Sequence, residues 1–185
     1  YGGVEAFILN YVNHLPENKY TVELIVMNRT PQYLGEKLKR EVKIHYVPER
    51  IKNPLGYNCR VNEIVKKGNY DILWCNFCTL SDITWLKAAK KYGIPVRIAH
   101  SHNSENMGNK LVLISHLQHK KIISKYVTHF FACSDVAGEF MFGDNIVKQN
   151  NYCLINNAIE TDKYSYNENI RMKTRLDLKI SDKIV

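Results

Sequence analysis

Residues 70–104 read YDILWCNFCTLSDITWLKAAKKYGIPVRIAHSHNS and hold one complete strand–helix–strand passage. Ile72, Leu73 and Trp74 form the apolar centre of a short buried strand over Asp71–Cys75. Ser81–Tyr92 has helical character and stops at Gly93, the residue that most cheaply takes the left-handed conformation that ends a helix. Pro95–His100 is the next strand. Two apolar strands joined through a helix run parallel, because a crossover of this length returns the chain to the same edge.

The same alternation extends in both directions. Val4, Phe7, Ile8, Tyr11, Val12 and Leu15 follow helical spacing, so residues 4–14 form an amphipathic helix. Tyr20–Met27 reads as a strand with Val22, Leu24 and Val26 on one face. Pro31–Arg40 reads as a short helix, and Val42–Val47 as a strand closed by Pro48. A loop containing Pro54 and Gly56 leads to a helix near Asn58–Lys67. Downstream, residues 109–126 read as one long basic helix and His129–Cys133 as a strand. Ser134 or Asp135 caps a helix through Phe142. Asn151–Ile155 is a further strand, residues 167–178 are helical, and Lys183–Val185 begins another strand. The fold class expected is α/β, an open Rossmann-like parallel sheet with helices on both faces.

Ligands of such sheets bind beyond the carboxyl ends of the strands. Those ends are the Gly2-Gly3 loop, Cys75–Thr79, His100–Ser104, Cys133–Ser134 and Asn156–Asn157. The sequence opens Tyr1-Gly2-Gly3-Val4-Glu5 and passes directly into a helix, with no methionine or strand ahead of it. That is expected of a β-loop-α unit entered at its loop. Two glycines leave backbone amides unshielded at the positive end of a helix dipole, a ready place for an anion. The pair is neither a dinucleotide fingerprint nor a Walker A loop.

The densest polar cluster is Arg97-Ile98-Ala99-His100-Ser101-His102-Asn103-Ser104. His100 and His102 are two apart, so on an extended strand they share a face. A histidine there can donate to a sugar hydroxyl or a phosphate, or act as a base; the plain alternative is a hydrogen-bonded polar loop. Trp74-Cys75-Asn76-Phe77-Cys78 raises a redox reading of thioredoxin type, with Pro95 as the required cis-proline. It is disfavoured because only one helix separates Pro95 from Cys78. The histidines 100, 102, 116 and 119 lack a carboxylate or cysteine to complete a zinc set. His116 and His119 share one helical face beside Lys120 and Lys121.

Apolar content of 45% and charged content of 24% are ordinary for a globular protein. At 185 residues the chain is long enough for one well-buried domain with a fragment of a second. No apolar run approaches the length of a transmembrane helix, and no signal peptide is visible. Five irregularly spaced cysteines favour a reducing compartment. The net charge of +8 reads either as solvated lysine-rich faces or as attraction to anions. The basic residues are dispersed and carry no nucleic-acid signature, so nucleic acid is not an expected partner. In the helix of residues 109–126, Lys110, Lys120, Lys121 and Lys125 alternate with Leu111, Val112, Ile114, Leu117, Ile122 and Ile123. It reads as a partly buried crossover helix or as a membrane-surface helix.

Five segments, in order, resemble the N-terminal domain of retaining GT-B glycosyltransferases of family 4, the "glycosyl transferases group 1" class. They are Gly2-Gly3-Val4-Glu5, Tyr70-Asp71-Ile72-Leu73, Gly93 through Ser104, Phe131-Ala132-Cys133-Ser134-Asp135, and Ile155 through Tyr164. The likeness is strongest to bacterial enzymes of capsular or exopolysaccharide synthesis. It implies transfer of a sugar from a nucleotide diphosphate sugar to a hydroxyl acceptor, carbohydrate or lipid-linked, with retention. The alternative is a non-catalytic α/β module that binds a nucleotide or phospholigand. The resemblance places Gly2 and Gly3 against the donor diphosphate, His102 by the transferred sugar as the catalytic candidate, and His100 as its neighbour. Asn103, Ser104, Ser134 and Asn157 complete the substrate-binding candidates. The family's Pro-Asn-Gly-hydrophobic-Asp hinge keeps only its asparagine, Asn157, with Asn156, Ala158 and Glu160 in place of proline, glycine and aspartate. No cofactor or metal is expected, the nucleotide sugar being a co-substrate. The resemblance further implies an acceptor-side domain over residues 1–160, lacking its first strand. Residues 161–185 would be the hinge and the start of a donor-binding domain. A cytoplasmic location with peripheral contact at the inner face of the membrane is expected.

Overall fold

The computed structural model describes residues 2–27, 36–106 and 108–180. The elements run α1 (Gly3–His14), β1 (Glu23–Met27), β2 (Lys43–Val47), α2 (Pro54–Gly68), β3 (Ile72–Phe77), α3 (Thr84–Lys91) and β4 (Val96–Ser101). They continue as α4 (Lys110–Lys120), β5 (His129–Ala132), α5 (Asp135–Phe142), the short α6 (Asp144–Val147), β6 (Tyr152–Leu154) and α7 (Glu168–Asp177). Every strand pairing is parallel. The expected α/β class is therefore present. The expected helix at Pro31–Arg40 lies outside the described residues over 31–35, as does the strand at Lys183–Val185.

Helices cover both faces of the sheet. Trp74, His100 and Phe131 point to one face, where Phe7 and Tyr11 of α1 lie over them. Leu73, Ala99 and Phe130 point to the other and join the main core with Val61, Ile64, Leu86, Ala89 and Met141. The period of two in strands produces this split directly.

Three features depart from the sequence reading. First, α2 begins at Pro54 rather than near Asn58. Asn53 Oδ1 accepts the Gly56 N–H at 2.8 Å, and proline occupies the first turn, where its missing N–H is harmless. Asn53→Ala should destabilise the protein by about 1 kcal/mol in denaturant titration, and an unchanged midpoint would refute the cap. Second, the basic helix ends at Lys120 and tightens into a 3-10 turn at Ile123–Lys125, which seats Ile123 and Val127 in the core ahead of β5.

Third, the sheet is in two pieces, β1–β2 and β3–β4–β5–β6. No backbone ladder joins them among the described residues. They meet through side chains instead: Tyr70 Oη donates to Glu23 Oε2 at 2.6 Å, and the same oxygen lies 2.5 Å from His45 Nε2. Burial alone would raise the Glu23 carboxyl, but the hydrogen bonds from Tyr70, His45 and Lys43 outweigh it and hold it at about 2.

Candidate functional site

The candidate site is built on the carboxyl ends of β3 and β4. Their register pairs Asn76 with His100 and Phe77 with Ser101. The His102 N–H donates to Phe77 O at 2.9 Å, which carries the extended geometry one residue past the strand. His100 and His102 consequently share a face, as their spacing predicts, with ring centroids 4.2 Å apart.

The two histidines differ in depth. His100 is fully buried, stacked on Trp74 and met edge-on by Phe7 and Phe131. Neither of its ring nitrogens has a partner, nor does Trp74 Nε1. So enclosed, His100 has no exposed surface in this structure and lies against His102. His102 is half-buried, and its Nε2 donates to Asn76 Oδ1 at 2.8 Å. With the proton on Nε2, Nδ1 keeps its lone pair and can accept a hydrogen bond from a hydroxyl. Burial lowers His102 to about 4, and burial followed by the neighbouring His102 lowers His100 to about 3. Both rings are neutral at physiological pH.

α1 brings the glycine pair to this end of the sheet. Phe7 touches His100 and His102, whereas Tyr11, one turn on, touches Trp74 further back along β3. The helix therefore runs antiparallel to the strands, with Gly2 and Gly3 beyond His102 at the crevice edge. The Gly2 N–H is already engaged: it donates to Glu5 Oε2 at 3.0 Å. At the expected anion site the Gly2 amide is thus occupied by the chain's own exposed carboxylate. At Gly3 an added Cβ would meet nothing within 4 Å, so that side of the loop is open.

The remaining candidates are arranged along the same edge. Asn103 and Ser104 continue the loop after His102. Ser134 follows β5 and serves as the N-cap of α5, accepting the Ala137 N–H at 3.2 Å. Asn157 is exposed after β6, and its neighbour Ala158 is tied to α1 through Asn10 Nδ2 at 3.0 Å. A cavity of about 150 Å³ lies instead at the opposite strand ends, lined by Lys43, His45, Arg60, Glu63, Lys67 and Tyr70 among others. It shares no residue with the His102 cluster, which stands as an open shelf.

The sequence reading passed over Asn76, Phe7 and Tyr11 as site residues. Asn76 was visible only as a spacer in the Cys75–Cys78 pair, although it lies at a named crevice end. That cysteine pair is poorly suited to redox work. Burial pushes the Cys75 thiol up to about 12 and raises Cys78 as well, where a nucleophilic thiol needs the reverse. The helix that follows starts only at Thr84. His116 and His119 turn on the backbone of Leu80 rather than toward a shared ligand: Leu80 N–H donates to His116 Nδ1, and His119 Nδ1 donates to Leu80 O.

The family model described as Glycosyltransferase Family 4 matches residues 1–163. Among curated proteins, the chain is 26% identical over 174 residues to "Putative glycosyltransferase EpsF" of Bacillus subtilis (strain 168). The match covers 90% of this chain and 44% of that protein, so the chain spans less than half the relative's length. No solved structure matches significantly.

Proposed function

The chain belongs to glycosyltransferase family 4, and from that we propose that the protein transfers a sugar, of hexose or related type, from a nucleotide diphosphate sugar to a hydroxyl acceptor with retention of configuration. The acceptor is a carbohydrate or a lipid-linked saccharide, and the setting is bacterial cell-surface polysaccharide synthesis, capsular or exopolysaccharide, on the cytoplasmic side of the membrane. The relative's name supports the activity class. The observation that carries the reading is His102 itself: a neutral ring at the crevice edge, fixed by Asn76, with one nitrogen free to accept from a sugar hydroxyl.

The roles follow from the chemistry available. A departing diphosphate needs positive stabilisation, and the α1 dipole with the Gly2 and Gly3 amides supplies part of it without a metal. For this to happen Glu5 must leave the Gly2 N–H, since a carboxylate and a phosphate repel each other there. His102 orients the sugar, with Asn103, Ser104, Ser134 and Asn157 as polar contacts along the same edge. Residues 1–160 act as the acceptor-side unit, and residues 161–185 belong to the hinge and a donor-binding unit. In support, no described residue from 161 to 180 is buried and α7 has no buried side chain. The shelf around His102 fits a site completed by that second unit.

The test is sugar transfer by the full-length protein across a panel of nucleotide sugars, with Gly3→Ala as the informative variant. An alanine methyl fits the empty loop, so folding stability should be unchanged, while a diphosphate pressed against the loop would be displaced. Activity should fall about tenfold or more, mainly through the donor KM. Binding of nucleotide sugars without transfer to any hydroxyl acceptor would overturn the enzymatic reading and leave a binding module. Full activity of Gly3→Ala would remove the glycine pair from the site.

A further inference from the structure

β6 ends at Leu154, and the Ile155 N–H extends its ladder by donating to Ala132 O at 2.8 Å. The chain then leaves the sheet and runs along α1. Asn10 Nδ2 donates to Ala158 O at 3.0 Å, and Lys39 Nζ donates to Glu160 Oε1 at 3.0 Å. His14 Nε2 lies 3.9 Å from the same carboxylate oxygen. Asn10 and His14 are four apart, on one face of the helix, and His14 Nδ1 donates to Asn10 O at 2.7 Å. Residues 158–160 therefore follow α1 away from its glycine end.

Lys39 is itself fixed to α1. Its N–H donates to Asn13 Oδ1 at 2.9 Å, and Asn13 Nδ2 donates to Lys37 O at 3.0 Å. One half of the helix thus gathers two segments that are distant in sequence. The hold on residues 158–160 is polar. Ala158 is exposed and Ile159 is 65% exposed, so no apolar burial pins them. The Glu160 side chain is only 24% exposed, turned against the protein, and that of Lys39 is 59% exposed. Surface ties of this kind are individually weak and are screened by salt, so the hold can open. Beyond Glu160 no described residue is buried.

We propose that Asn10, Lys39 and Glu160 form a releasable clasp, which lays residues 158–160 along α1 and so sets where the unit that follows stands against the His102 shelf. That purpose rests on reading residues 161–185 as hinge and donor-binding unit; the clasp itself does not. Its members are positioning residues, and none belongs to the cluster around His102. Asn10 lies about two turns beyond Gly3, on the far half of the helix that begins with the glycine pair. α1 is one rigid element, so the clasp keeps the glycine loop and the linker at a fixed separation. A linker between two units of a transferase has to hold one arrangement and give it up when product leaves. Several weak polar ties suit that task, and a buried apolar seam does not.

The test is limited proteolysis of the full-length protein by proteinase K, with cuts located by mass spectrometry, together with small-angle X-ray scattering. In Asn10→Ala/Lys39→Gln, cleavage within residues 156–162 should accelerate about fivefold or more and the scattering profile should shift, while cleavage elsewhere stays the same. Glu160→Lys should behave like that variant. The swap Lys39→Glu/Glu160→Lys re-forms the ion pair and should recover the parent's rate. These bonds lie at the surface, so all the variants should melt like the parent. Unchanged cleavage and scattering in Asn10→Ala/Lys39→Gln, or no recovery in the swap, would overturn the clasp. In a working transferase its release should lower kcat about threefold or more and change the donor KM less, and an unchanged kcat would overturn the positioning role. Sugar transfer by a protein whose linker cleavage ignores these substitutions sinks the clasp alone. Accelerated cleavage in a protein that transfers no sugar sinks the enzymatic reading alone.

Discussion

Replacing His102 with alanine should lower kcat/KM for sugar transfer by about 100-fold, an effect of about 2.7 kcal/mol on the barrier, with only a small loss of stability. The ring is held on two sides, by the Asn76 hydrogen bond and by the edge-on contact with Phe7 at 4.8 Å between centroids. Little motion remains in its Nδ1, so under the proposed function a sugar hydroxyl would meet an acceptor already in place. Burial keeps the ring neutral down to about pH 4, so the rate should show no inflection near the usual histidine value of 6.5. Asn76→Asp sharpens the test. A carboxylate in that position favours the imidazolium, which should bring a histidine inflection up into the pH 5–7 range and remove the acceptor below it. Full activity of the alanine variant would end the role assigned to His102. An unaltered pH profile in Asn76→Asp would show that the Asn76 bond does not govern it.

Acid should weaken the fold well above the range where carboxylates titrate. His100 and His102 sit at about 3 and about 4 in the folded protein, for the burial reasons given, against 6.5 in an unfolded chain. Burial lowers His116 as well, and its Nδ1 is committed to the Leu80 N–H. All three folded values are depressed, so the stability at stake is complete above pH 6.5 and is lost as pH falls below it. For His100 and His102 the loss runs on toward pH 4, at up to about 1.4 kcal/mol per pH unit each. Denaturant midpoints at pH 7, 6 and 5 should therefore drop steadily, before Glu23 and Asp82, with their lowered values, begin to take protons. His100→Leu should flatten that slope. It should also leave stability at pH 7 unchanged or about 1 kcal/mol higher, because it removes two buried nitrogens with no partner. An identical slope in that variant, or a loss of more than about 2 kcal/mol at pH 7, would contradict the assignment.

The alternation of strands and helices was legible because parallel strands buried on both faces leave short apolar runs, such as Ile72–Trp74, between capped helices. The shared face of His100 and His102 was legible from a period of two. Which of them is covered was not, because the cover comes from Phe7, far away in sequence. Asn76 was hidden for the same reason: its significance lies in a neighbouring strand. Pro54 was read as loop, although with Asn53 before it the pair is a helix start. The inward turn of His116 and His119 could not be read from their helical spacing, because the backbone that holds them, at Leu80, is distant in sequence. The division of the sheet depends on strand partners, which no local pattern specifies.

That division gives β3 an unusual position. Ile72–Phe77 has the apolar composition of an interior strand, yet among the described residues it has a partner on one side only. The β1–β2 piece approaches through side chains, Tyr70 reaching Glu23 and Val47 sharing the core with Leu73, so among the described residues this border is held by packing and hydrogen-bonded side chains where the rest of the sheet has a backbone ladder.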